Sequence, residues 1–347
     1  MTVKRSSAHT RFVRRPRTAL AMAPAAAAAV LDETALAALR RVCELAPGPA
    51  LDDLTTPRAR NVLRDTEVLV TGWGCPPLDA AALAAAPQLR AVVHTGGSVR
   101  GHVTEECWAS GIEVASAAAA NALPVAEYTV AMILLSGKKV LERAREYRSS
   151  RRVEDWLATP PGIGNFDRTV GILSASMIGR RVIELLRPYS FRILLHDPFV
   201  TSWETAALGA EAVDLDQLFT RSDVVSVHTP LLPSTRGLVD RALIASMRPD
   251  AVLINTARGA ILDQDALAEA TAAGRIRAVL DVTEPEVLPA EHPLWEHDNV
   301  LITPHLAGSQ GSEWRRLADT AVAEVARWAA GRGFAHPVPR EGLGRIA

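Results

Sequence analysis

Thiols are scarce in this sequence. Three of its 347 residues are cysteine, Cys43, Cys75 and Cys107, far apart and in no Cys-x-x-Cys pair. That spacing argues against a disulfide framework or a structural zinc site, so no metal is expected and reduced thiols in a cytoplasmic protein are the plain reading. Charge of one sign is also missing: the net charge is −1, without the basic excess that a nucleic-acid or membrane partner needs. No run of 18 or more strongly apolar residues stands out, so nothing is expected to span a bilayer. Internal repeats of short period are absent as well. What remains is ordinary globular composition, 48% hydrophobic and 22% charged, enough for roughly two domains with full cores.

The opening "MTVKRSSAHTRFVRRPR" is basic and "TALAMAPAAAAAV" is small and apolar, as secretory and twin-arginine signals are. The apolar run is mostly alanine, is broken by Pro24 and leads into "LDETALAALRRVCEL". A basic tail, a short strand near Thr18 to Ala23 and a helix are therefore expected.

Beyond that point short apolar runs alternate with helical stretches. "EVLVTG" (67–72), "LRAVVHTGG" (89–97) and "IEVASA" (112–117) read as strands, and "LDAAALAAA" (78–86) as a helix. "PVAEYTVAMILLSGKKVLERAREYR" (124–148) reads as one long helix with Pro124 in its first turn. "SSRRVEDWLATPPGIGNF" (149–166) has no period and is expected to be a loop or arm whose Trp156 and Phe166 pack on something. From Thr169 the alternation restarts and runs to "VLITPHLAG" (300–308), followed by an amphipathic helix at 312–331. Strand and helix in alternation imply parallel sheets covered on both faces. The expected fold is α/β with two Rossmann-like domains. A nucleotide-binding domain (124–300) is inserted into a flavodoxin-like substrate domain (1–123 and 301–347).

"GILSASMIGR" (171–180) stands where a strand meets a helix, the place of a dinucleotide phosphate loop. Such a loop uses three glycines: for the turn, for backbone approach to the phosphates and for helix–strand packing. Here Ser174 and Ser176 hold the first two positions, and Gly179 the third, just after Met177 and Ile178. Asp197 ends the next strand, "FRILLHDP", 18 residues after Gly179. An acid there can accept from both ribose hydroxyls and repels a 2′-phosphate, which favours NAD over NADP. Three further stretches place polar groups just past apolar strands. These are Arg258 in "NTARG", Asp281 and Glu286 in "LDVTEPE", and His305 in "ITPH". Ligands of open α/β sheets bind at such strand ends. A guanidinium can clamp a carboxylate, and a histidine held by a carboxylate can move a proton near neutral pH. With a nicotinamide, these are the parts needed to interconvert a 2-hydroxy acid and a 2-oxo acid.

The segments "NALPVAEYTVAMILL", "VGILSASMIGRRVIELLRPYSFRILLHDP", "VHTPLLPSTRGLVD", "MRPDAVLINTARGAILDQDALAEA" and "AVLDVTEPEVLPAEHPLWEHDNVLITPHLAG" strongly resemble the D-isomer-specific 2-hydroxyacid dehydrogenase family. The resemblance runs from about residue 65 to 330 and implies specific roles. Arg258 would bind the substrate carboxylate and keto oxygen, and His305, paired with Glu286, would be the acid/base. Asp281 would hold the nicotinamide carboxamide, with Thr256 also on the cofactor, and Thr229 and Pro230 would line its adenosine side. The amides of Gly96, Gly97 and Ser98 would bind the substrate carboxylate, with Asn121 near the crevice between domains. The arm at 149–166 would wrap a second copy in a homodimer.

The sequence also departs from the family pattern. Besides the two loop serines, Val287 follows Glu286 where proline is usual, and "HTGGSVRGH" differs from the common glycine turn. His94 and Arg100 in that turn would either reshape the substrate pocket or lie on the surface. Trp73 and Trp314 hint at a substrate bulkier than glyoxylate. The alternative class is a non-enzymatic NAD(H)-sensing protein, as the corepressors of this family are in part. Loop serines favour it, and an intact Arg258, Glu286 and His305 disfavour it. Formate dehydrogenases pair their histidine with glutamine, which Glu286 is not.

Overall fold

The computed structural model describes residues 15–153, 155–160 and 162–341. The basic tail at 1–14 lies outside the described residues, and the Trp156 side chain is not described. The chain divides into two compact units. One runs to Ala120 and resumes at Gly311; the other spans Asn121–Gln310.

Among the described residues, the first unit is built on five parallel strands, β1 (Arg17–Ala21), β2 (Glu44–Leu45), β3 (Val68–Thr71), β4 (Ala91–His94) and β5 (Glu113–Ser116). Their order is β2-β1-β3-β4-β5, the flavodoxin-like winding. The strands read as continuous apolar runs because both faces are covered. Alternate residues serve opposite faces: Leu69 and Val92 pack with Leu63 and Leu78. Val68, Val70, Ala91 and Val93 pack with Leu39 and with Leu317, Ala321 and Val325 of helix Trp314–Ala329. Trp314 lies half-buried against that second cluster.

Among the described residues, the second unit holds seven parallel strands. They are β6 (Thr169–Leu173), β7 (Arg192–His196), β8 (Glu211–Ala212), β9 (Val224–Val227), β10 (Val252–Asn255), β11 (Arg277–Leu280) and β12 (Val300–Ile302). The order is β12-β11-β10-β9-β6-β7-β8. From β6 the chain winds outward through β7 and β8, then returns to the other side of β6 at β9. The reversal between the carboxyl ends of β6 and β9 is where an open α/β sheet binds its ligand.

Four expectations are corrected here. The helix expected to begin at Pro124 begins six residues earlier, as Ala118–Gly137, with Pro124 inside it. Alanines at 118–120 start the helix directly after β5. One proline removes a single ladder bond without ending it. The long helix is also two: Lys139 at φ 50° breaks it before Val140–Ser150. Asn165 Nδ2 and Gly164 N cap the first helix at Leu134 O (3.0 Å) and Gly137 O (2.7 Å). By length and composition Ala118–Gly137 is apolar enough to cross a membrane, contrary to the reading of the runs. Its Ala126, Val130 and Ile133 instead pack on Val170, Ile172, Ile254 and Val279 of the sheet. Finally, Phe166 does not pack: it is 85% exposed in this chain. Its neighbour Asn165 takes the packing position against Gly137.

Candidate functional site

The phosphate loop runs from β6 to helix Met177–Leu186. Ser174 sits at φ 79°, the left-handed region where glycine is the usual residue. The strain of a non-glycine residue there is on the order of 1–2 kcal/mol. Partners hold it in place: its N–H donates to His196 O (2.9 Å) and its hydroxyl bonds Thr229 Oγ1 (3.0 Å). That second bond spans the reversal point from β6 to β9. Ser176 does a different job. It is the N-cap of the helix, and its Oγ accepts from Gly179 N at 3.2 Å. Serine is a good cap where glycine is a neutral one. Gly179 allows no substitute: a Cβ there would lie 2.1 Å from Ser174 O. Met177 is exposed and Ile178 half-buried at the same helix start.

Asp197 follows β7 and is tied to this loop. Its Oδ2 accepts from Ala175 N (2.8 Å) and its Oδ1 from Phe199 N (2.8 Å). Each oxygen keeps a further acceptor site for a ribose hydroxyl. Arg180 Nε donates to Ala175 O at 2.9 Å, so both sides of the Ala175 peptide are held. A left-handed turn at Ser174, a capped helix start with Gly179 packed against it, and an acid at the second strand fit a dinucleotide. Pro230, next to Thr229, is half-buried and gives its carbonyl to Thr235 Oγ1 at 2.6 Å.

The polar groups expected past β10, β11 and β12 come from adjacent strands of the same sheet. Asn255 shapes the loop that carries Arg258: its Oδ1 accepts from Ala257 N (3.0 Å) and its Nδ2 donates to Arg258 O (2.9 Å). Thr256 is buried, its hydroxyl 3.1 Å from that of Thr129. Gly259 presses on the next loop, where a Cβ would lie 2.1 Å from the carbonyl carbon of Thr283. Gln264 joins the same two loops, bonding the Glu284 carbonyl (2.6 Å) and amide (2.9 Å). Burial holds the Arg258 guanidinium below its usual pKa, while the Glu286 carboxylate pulls it back up.

Glu286 reaches His305, whose Nδ1 lies 2.6 Å from Glu286 Oε1. His305 itself is at φ 52°, a strained conformation of the kind that persists at functional sites when its surroundings fix it. Asp281 is what fixes it. Buried to 1% exposure, Asp281 accepts from His305 N with its carbonyl (2.9 Å). Its carboxylate accepts from Thr303 Oγ1 (2.6 Å), Leu306 N (2.9 Å) and Ala307 N (3.0 Å). Since Thr303 gives its only hydroxyl proton to that acceptor, Tyr128 is the donor in its 2.8 Å bond to Thr303. Burial raises the Tyr128 phenol above its ordinary pKa. Asn121 reaches the end of the loop, where its Oδ1 accepts from Ser309 N at 3.1 Å. Asn255, Gln264 and Tyr128 were not expected at the site. An amide beside "TARG" was the available signal for the first, and nothing marks the other two.

In the first unit, Gly96, Gly97 and Ser98 follow β4. Gly96 is buried, and a Cβ on it would lie 2.7 Å from His94 Nε2. His94 is itself buried, and Arg100 is exposed. The three cysteines are free thiols.

Residues 130–307 match the family described as D-isomer specific 2-hydroxyacid dehydrogenase, NAD binding domain. Among curated proteins, D-3-phosphoglycerate dehydrogenase of Mycobacterium leprae is 34% identical over 256 residues. That match covers 73% of this chain and 47% of the relative, so the chain spans about half the length of such relatives. Glyoxylate reductase of Thermofilum pendens is 32% identical over 304 residues, covering 84% of this chain and 87% of the relative. Among solved structures, a Thermus thermophilus protein superposes with a TM-score of 0.72 at 28% identity, covering 93% of this chain and all of that one.

Proposed function

Since the chain belongs to the D-isomer specific 2-hydroxyacid dehydrogenase family, we propose that it is an NAD-dependent oxidoreductase joining a 2-oxo acid and its D-2-hydroxy acid. The observation that carries this reading is the His305–Glu286 pair at 2.6 Å, beside a half-buried Arg258, at the carboxyl end of a dinucleotide-type sheet. The nicotinamide, when bound, supplies or takes the hydride at C2. The chain's own residues do the rest. Arg258 binds the carboxylate and faces the oxygen where negative charge develops. With Nδ1 held by Glu286, the Nε2 of His305 gives its proton to that oxygen in reduction and takes it in oxidation. Ser174, Ser176, Met177, Ile178 and Gly179 receive the pyrophosphate, Asp197 the ribose, Thr229, Pro230 and Thr256 line the cofactor, and Asp281 orders the His305 loop beside the carboxamide. On the same reading Gly96, Gly97 and Ser98 offer amides to the substrate carboxylate, and Asn121 holds the Ser309 amide.

A homodimer in the cytoplasm belongs to the same reading. Tyr147, Val153, Leu157 and Phe166 expose apolar surface along one segment, which supports a second copy as its cover. Light scattering of the purified chain tests that state. An NADH-sensing role without turnover is the second reading, favoured by the strained Ser174.

The test is oxidation of NADH by a panel of 2-oxo acids (glyoxylate, hydroxypyruvate, pyruvate, branched and aromatic), with NADPH in parallel. Turnover with NADH over NADPH is expected. NADH binding without turnover of any acid would move the reading to the sensor.

A further inference from the structure

Two histidines and a threonine form a buried polar cluster in the first unit. Thr71 ends β3 and His94 ends β4, and the two are direct partners across the sheet. Thr71 Oγ1 lies 3.0 Å from His94 Nδ1 and 3.0 Å from His102 Nε2. The two rings stack at 4.6 Å between centroids, tilted by 41°. All three side chains are buried.

One hydroxyl between two imidazole nitrogens has a restricted chemistry. It carries a single proton and cannot donate to both, so at least one facing nitrogen bears an N–H; the arrangement that satisfies all three groups has it donate to one nitrogen and accept from the other. Either imidazole therefore fixes the tautomer of its partner. Burial lowers the pKa of His94 to about 3 and of His102 to about 4, so both rings stay neutral near pH 7. In sequence, His94 and His102 bracket the turn Gly96–Ser98. The cluster ties both ends of that loop to one side chain. A second set of bonds pins the loop's first residue: Thr95 N and Thr95 Oγ1 donate to Thr71 O at 2.8 and 3.0 Å. The far side of the His94 ring occupies the space that a side chain at Gly96 would need.

We propose that His94, Thr71 and His102 form a neutral clamp that holds the Gly96–Ser98 turn in the conformation presenting its amides to the substrate carboxylate. The three are positioning residues acting through the turn. This rests on the reading of that turn as the carboxylate subsite. The clamp adds no charge beside the bound anion, and it acts on substrate affinity rather than on hydride transfer.

The experiment compares Thr71→Val, which is nearly isosteric and lacks the hydroxyl, with Thr71→Ser, which keeps it. With NADH and the best 2-oxo acid of the panel, Thr71→Val is expected to raise KM 10-fold or more. The NADH Kd should stay within 2-fold and kcat within about 3-fold, and Thr71→Ser should restore KM. Gly97→Val tests the turn itself. If Gly97→Val leaves KM unchanged, the carboxylate reading falls and the clamp with it. If Gly97→Val raises KM and Thr71→Val does not, the clamp alone is overturned. Nitrogen-15 spectra of the histidines in the unsubstituted protein give a second measure that needs no variant to fold. One Thr71-facing nitrogen must be protonated and the other bare, and adding oxamate with NADH must shift the His94 signals. Two like nitrogens, or no shift with oxamate bound, would also overturn the proposal.

Discussion

Replacing Gly179 by alanine tests the phosphate loop most sharply, because the clash is with backbone. The new Cβ would lie 2.1 Å from Ser174 O, against a floor of about 3.0 Å for real contacts. Ser174 cannot retreat: it is bonded to His196 O and Thr229 Oγ1. The helix start must move instead, although Val182, Ile183 and Leu186 anchor the helix in the core. The displacement strains the Ser176 cap, worth about 1 kcal/mol. Overpacking adds roughly 1–3 kcal/mol, and alanine returns about 1 kcal/mol of helix propensity. The net loss of stability is about 1–3 kcal/mol. The same shift turns the first helical amides away from the pyrophosphate. Losing one charge-assisted bond, about 1.5–3 kcal/mol, raises the NADH Kd by roughly 10- to 100-fold. Fluorescence titration with NADH and a thermal melt measure the two effects side by side. Wild-type affinity together with an unchanged melt would refute the argument, since the clash leaves no room for both.

His305→Ala and Glu286→Gln should each lower kcat, by about 10²–10⁴-fold for the histidine and less for the glutamate, with NADH binding kept; equal loss of NADH binding would show a structural effect instead. Gly259→Ala drives a Cβ into the Thr283–Glu284 backbone, so Arg258 shifts and kcat/KM should fall at least 10-fold while the NADH Kd changes little. Acid should weaken the fold early. His94, His102 and His228 have folded pKa values of about 3, 4 and 3 against an ordinary 6.5, burial being the main cause. Their stabilising contribution is complete above pH 6.5 and is lost as pH falls toward 4, because the unfolded chain takes up protons that the folded one refuses. The slope is up to about 1.4 kcal/mol per pH unit for each histidine. Urea melts at pH 7 and pH 5 should differ, and equal midpoints would contradict the burial argument.

The parallel α/β plan was legible because buried strands are continuous apolar runs between helical stretches, and β3, β4 and β5 fall within the expected segments 67–72, 89–97 and 112–117. β2 and β8, at two residues each, leave no pattern to read. The start of helix Ala118–Gly137 was misplaced because Pro124 looks like a first-turn residue, and only the tertiary setting keeps it inside. Phe166 was expected to be covered from its hydrophobicity alone. In the site, side chains at strand ends were visible as polar breaks after apolar runs: Arg258, Asp281 and His305 are of this kind. Groups that act across long sequence distances were not. Tyr128 meets Thr303 over 175 positions, and no local pattern encodes such a pairing. The serines at 174 and 176 were legible as departures, but their separate duties, a bond across the reversal point and a helix cap, depend on the fold that brings Thr229 and Gly179 to them.

The bond from Ala175 N to Asp197 has a consequence for engineering cofactor choice. The obvious route to NADP acceptance is to remove the carboxylate that repels a 2′-phosphate. In this protein the same carboxylate anchors a peptide of the phosphate loop at 2.8 Å. Neutralising it with a residue that cannot accept, such as alanine, loosens the loop for both cofactors at once. Asparagine discards the charge and keeps one acceptor oxygen, which can hold the Ala175 amide while giving up the second bond, from Phe199 N. Relaxed preference and retained affinity are therefore separable here through the choice of a single replacement.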